Sequence, residues 1–175
     1  ISPIRDEAGT NMTPLVTAEG KVKVSRLLFV TSIIMIISGA IYLIEDVQYF
    51  FHIDELIASG YMDALGEYSG ISLNGVLIAF DIGLIEGCSN AALFIACGIM
   101  GIRVAKSRGR ITTCQIMGMI ALSLSILSFI MVGFIFGFEN IPIGSYAIAI
   151  VIPAAFFYAV KREAKSPYWV ELEKS

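Results

Sequence analysis

Asn74-Gly-Val-Leu-Ile-Ala-Phe-Asp81-Ile-Gly83-Leu-Ile-Glu86-Gly87-Cys88-Ser89-Asn90, continued by the uncharged run from Ala91 to Ile102 and closed by Arg103, decides how this chain folds. The run from Leu73 to Ile102 holds 30 residues. As a helix it is about 45 Å long at 1.5 Å per residue, against a bilayer hydrocarbon core of about 30 Å. It is therefore expected to be a membrane-spanning helix with length to spare. Counting back about 20 residues from Arg103, the length of one span, puts the far boundary near Gly83. Asp81 then falls at an interface and Glu86 just inside the apolar layer. A charged side chain at mid-membrane costs from about 2.5 to over 10 kcal/mol, depending on how it is measured. These acids must therefore be near a surface, protonated, paired or liganded.

The rest of the chain extends this pattern. Hydrophobic residues make up 57% and charged residues 15%, against about 45–50% and about 25% in soluble domains. The apolar residues fall in four blocks. The expected fold is an all-α integral membrane protein, a four-transmembrane-helix bundle over 25–162, with helices at about 25–51, 73–103, 111–137 and 141–161. Residues 1–24 and 163–175 are expected to be cytoplasmic tails, the first of them flexible. Residues 1–24 show none of the basic start, short apolar core and small-residue cleavage site of a signal peptide.

Charge sets the orientation. The 12 Lys and Arg residues fall in three groups: Arg5 to Arg26, Arg103 to Arg110, and Lys161 to Lys174. The two remaining connections contain none. By the positive-inside rule the N and C termini and the middle loop are cytoplasmic. The acceptor pattern Asn11-Met12-Thr13 then lies on the wrong side for glycosylation. The basic middle loop reads as a topology anchor and not as a nucleic-acid surface, because no aromatic-interleaved basic patch accompanies it. The first outer loop is acidic, with Asp54, Glu55, Asp63 and Glu67, and its apolar residues recur near helical spacing. A short amphipathic helix is expected there, limited by Gly60, Gly66 and Gly70.

Small residues recur where helices are expected to meet. Gly83, Gly87, Ala91 and Gly98 line one face of the second helix, with Gly118 and Ser125 on the third and a Gly133–Gly137 pair near its end; such residues let backbones approach closely. Pro153 removes a backbone donor in the fourth helix and is a candidate hinge. The cysteines Cys88, Cys97 and Cys114 have no CxxC spacing and read as packing residues.

No catalytic constellation is visible. There is one histidine, and the chain has no GxSxG, GxxxxGK[ST] or GxGxxG pattern. What remains is an acid-rich outer half: Glu45, Asp46, Asp81, Glu86 and Glu139, with Asn90 one turn from Glu86 and His52 close by. These residues are solvated at the interface, or protonated and hydrogen-bonded (Glu86 to Asn90 or to serines of the third helix), or they bind a cation. His52 would admit a softer metal. Two functions fit. The first is a non-catalytic subunit of a homo-oligomer or a larger membrane complex, docking through the small-residue faces and contacting lipid. The second is a cation- or proton-linked transporter or channel using Glu86 and Asp81. The sequence names no cofactor and no metal.

Overall fold

A computed structural model describes residues 25–106, 109–136 and 143–166, and all regular structure within them is helical. The elements are α1 (Arg26–Phe51), α2 (Ile53–Ala58), α3 (Tyr61–Ser69), α4 (Leu73–Ala105), α5 (Ile111–Phe136) and α6 (Ile143–Ala164). α4 runs two residues past the expected end at Arg103. Lys106 caps it, with its N–H reaching back to Ile102 and Val104. The connection between α1 and α4 holds two short helices, α2 and α3, where one was expected. Gly60 separates them, in the left-handed region at φ +75°, where a side chain is disfavoured. Gly70, at φ +69°, ends α3 in the same way. Gly137, Glu139, Asn140, the N-terminal tail and residues 167–175 lie outside the described residues.

The four long helices make a ring in which α1 packs on α4 and α6, and α5 packs on α4 and α6. The α1–α4 pair is the most extensive contact. On α1 the facing residues Leu28, Ser32, Met35 and Gly39 are buried, and the series continues through Tyr42, Asp46 and Tyr49 at alternating steps of four and three. On α4 the matching series is Gly87, Ala91, Phe94, Gly98 and Gly101. A strict four–three repeat on both partners is the signature of a coiled-coil-like seam. The two helices run antiparallel: the Ser25 N–H donates to the Ala105 carbonyl at 3.0 Å. Further along, the ring of Tyr49 meets that of Phe80 edge to face at 6.5 Å.

Small residues bring the backbones together along this seam. A Cβ on Gly39 would lie 2.7 Å from the Ala91 carbonyl oxygen, and one on Gly98 would lie 2.5 Å from the Ser32 carbonyl oxygen. Gly101 leaves room for Ser32 of α1 and for the ring of Phe156 from α6. The same ring reaches Gly118 of α5, 3.1 Å from where its Cβ would stand. Phe156 is thus a wedge held between glycines of two other helices. Leu28, Cys97, Cys114, Ala121, Ala159 and Val160 pack in the same buried cluster.

This core lies toward one end of the ring, where Arg26, Arg103, Lys106, Arg110, Lys161 and Arg162 also gather. There Lys106 Nζ stands 5.7 Å from the centre of the Phe29 ring, an attractive placement of a cation over an aromatic face. The opposite end is acidic and more loosely filled.

Three helices are long and apolar enough to cross a membrane: Arg26–Phe51, Leu73–Ala105 and Ile111–Phe134. Within their most apolar segments only 28%, 22% and 22% of residues are buried in the protein. Val30, Ile37, Ile41 and Ile44 of α1, with Ile78, Ile82 and Ile85 of α4, point outward. Contiguous apolar surface on this scale is foreign to a water-soluble monomer and suits lipid contact. The chain is an α-helical membrane protein.

Candidate acid site between the helices

Glu86 is half-buried on α4, one residue before Gly87. Its Oε2 accepts a hydrogen bond from Ser128 Oγ of α5 at 3.1 Å. This contact is one of the two partners the sequence offers Glu86, a serine of the third long helix. The other, Asn90, makes no such bond, and its Oδ1 is buried without a hydrogen-bond partner.

Asp46 approaches from α1. It occupies the next position of the four–three seam after Gly39 and Tyr42, so the coiling that packs α1 on α4 also turns it inward. It settles over Gly87. A Cβ there would stand 2.6 Å from Asp46 Oδ2 and 2.9 Å from its Cγ and Oδ1. Oδ2 is buried and has no hydrogen-bond partner, a costly condition for an acid oxygen. Asp46 and Glu86 thus flank Gly87 on an α1–α4–α5 junction.

Both acids also line a cavity of about 260 Å³ between α1, α3, α4 and α5. Tyr49 of α1, Leu65 of α3, Val76, Ala79 and Phe80 of α4, and Met131 and Val132 of α5 complete most of its wall. α3 closes one side because Met62 and Val76 are buried between it and α4. Gly66 has no side chain to hold the two apart: its Cβ would stand 2.8 Å from the Ile71 carbonyl oxygen and 3.4 Å from Val76.

The remaining acid-half residues lie elsewhere. Asp81 is exposed and lies outside the cavity wall, as its turn of about 140° from Glu86 around the helix requires at 100° per residue. Glu45 and His52 are exposed. His52 caps the end of α1, with Nδ1 2.8 Å from the Gln48 carbonyl oxygen. Among the described residues no group of three or more His, Cys, Asp and Glu side chains is placed to hold a metal ion.

Of the packing residues, Gly87, Ala91, Gly98 and Gly118 are occupied within the chain by Asp46, Gly39, Ser32 with Ile36, and Phe156. Ser125 and Gly133 are buried on α5, and Ser125 Oγ donates to the Ala121 carbonyl at 3.0 Å. Gly83 is exposed, with nothing within 4 Å of its Cβ position. Pro153 is buried in the middle of α6, which runs through it.

The sequence groups Asp46 with the other outer acids but does not by itself pair it with Gly87. The signal for that pairing is the four–three series from Leu28, which reaches Asp46 in five steps. The same series reaches Tyr49 in one further step, but Met131 and Val132 carry no such signal, because nothing local marks an apolar side chain as the wall of a cavity. Compared with protein-family models, curated proteins and solved structures, the chain matches none.

Proposed function

We propose that this protein crosses the membrane four times, with its basic end in the cytoplasm, and exchanges protons or small cations through Glu86 and Asp46. The observation that carries the proposal is the presence of two carboxyl groups in the wall of one cavity, Glu86 held by Ser128 and Asp46 resting on Gly87 with an orphaned oxygen. No Lys or Arg lies between Arg26 and Arg103 or between Arg110 and Lys161 to neutralise them. Acids within a membrane helix that face the protein interior mark ion or proton pathways. The uncharged run of α6 from Ile143 to Val160 supports a fourth crossing, since about 17 apolar residues are the least that span. The complete basic bias of the other end supports the orientation. In this reading Asp46 takes the role that the sequence suggests for Asp81. The test is flux: purified protein in vesicles loaded with a pH-sensitive dye should pass protons or alkali cations, and Glu86→Gln should abolish the passage. Equal flux through wild type and variant ends the proposal.

A second reading is a docking role as a subunit of a homo-oligomer or larger membrane complex. It is favoured by the outward Ile78, Ile82 and Ile85 of α4, an apolar strip that a second membrane helix could cover. Crosslinking of gently solubilised protein tests it. A clean monomer with no co-purifying chain rejects it.

A further inference from the structure

We infer that the cavity between α1, α3, α4 and α5 binds a small organic cation with an apolar body, an aryl- or alkylammonium, with Glu86 and Asp46 as its counter-charges. The inference deepens the exchange reading and takes from it the assignment of these two acids as the charge-carrying groups.

Size points first to an organic body. A water molecule takes about 30 Å³ of liquid volume, and the cavity offers about 260 Å³. That is far more than a bare ion needs. Wall chemistry agrees. Leu65, Val76, Met131 and Val132 present hydrocarbon and thioether, which an inorganic cation would avoid and an organic one would bury. Charge sets the sign of the occupant. Asp46 and Glu86 are the wall's acids, and no basic side chain is among the lining residues. Electrostatic complementarity therefore selects a cation and rejects an anion.

The aromatic residues suit an ammonium group in particular. Tyr49 and Phe80 stand edge to face at 6.5 Å in the same wall, and ring faces attract ammonium groups. The approach is favourable too. Asp54, Glu55, Asp63 and Glu67 on α2 and α3 give the cavity's side of the molecule a negative field that concentrates cations. A free cation is the occupant and not a zwitterionic lipid headgroup, because a headgroup would carry its phosphate against this acidic surface.

The experiment is calorimetric titration of the full chain in neutral detergent with benzyltrimethylammonium, and with benzenesulfonate as an anion of similar size. The cation should bind at least about tenfold more tightly, the equivalent of about 1.4 kcal/mol. Equal affinity for the two overturns the inference and needs no variant. Glu86→Gln should weaken cation binding about tenfold or more. Ala79→Phe, which fills the cavity without altering a carboxylate, should remove ammonium binding. Unchanged ammonium affinity in Ala79→Phe also overturns the inference. Glu86-dependent proton flux without ammonium binding defeats the ligand assignment alone. Glu86-dependent ammonium binding without flux supports the ligand assignment and defeats the exchange reading alone.

Discussion

Gly87 is the residue at which the site is decided. It carries no side chain, and the Asp46 carboxyl rests against it. Gly87→Ala puts a methyl 2.6 Å from Asp46 Oδ2, so the carboxyl must swing away or α1 must lift off α4. Overpacking of this kind costs about 1–3 kcal/mol. The variant should keep its helix content by circular dichroism, lose thermal stability in detergent, and lose most of its flux. Gly144→Ala, at the start of α6 with open space around it and outside the cavity wall, should leave stability and flux unchanged and serves as the control. Ser128→Ala removes the hydrogen bond to Glu86 Oε2. A net loss of about 0.5–1.5 kcal/mol is expected from a bond of ordinary strength, and somewhat more if Glu86 is ionised. Chemical denaturation with Ser128→Ala beside Ser123→Ala, an exposed serine on the same helix, checks that figure. Glu86 was legible because an acid in so apolar a run stands out. Its partner was legible only as a class, the serines of the neighbouring helix, because which serine meets it depends on how far α4 and α5 slide past each other.

At the scale of elements, the two ends of the bundle differ in how tightly they are filled. At the basic end Phe156 occupies a slot framed by Gly101 and Gly118. Packing of this sort, and not burial from water, is what holds helices together in lipid. Phe156→Ala empties the slot, and losses of about 3–5 kcal/mol accompany such a change in a well-packed core. It should lower the detergent melting temperature more than any of the site variants, while leaving ammonium affinity in the surviving folded fraction unchanged. At the acidic end α3 depends on its turns. Ser72 caps α4 by accepting the Gly75 N–H at 3.3 Å, and Gly70 supplies the left-handed residue before it. Gly70→Ala forces a side chain into that conformation at a cost of about 1–2 kcal/mol. Loosened α3 should show as faster proteolysis between Ser59 and Ser72 in the variant than in wild type. The long helices could be drawn from the sequence to within two or three residues, because apolar length is a strong local signal. Two short helices in place of one could not, since Gly60 reads equally as a stop within a loop or as a turn between helices.

At the scale of the whole molecule, what matters is which face meets which solution. All basic residues of the described helices gather at one end and the acid pair lies toward the other, an asymmetry already written in the order of charges along the chain. Helix packing adds what sequence order does not contain: that α1 and α4 make the principal pair, and that the cavity lies among α1, α3, α4 and α5. If the basic end is cytoplasmic, Ser59, exposed between α2 and α3, lies outside, and Lys165, exposed at the end of α6, lies inside. Replace Cys88 by Ala and keep Cys97 and Cys114, which are fully buried and should be inert to a bulky reagent. In intact cells a membrane-impermeant maleimide should then label Ser59→Cys and leave Lys165→Cys unlabelled until the membrane is opened. Labelling of Lys165→Cys from outside with Ser59→Cys unlabelled would invert the bundle and place the acid pair near the cytoplasm. The ammonium ligand would then be drawn from the cytoplasmic side, and the acidic α2–α3 surface would concentrate it there. Labelling of both sites in intact cells would remove α6 as a crossing and leave three, the number whose length and composition already suffice.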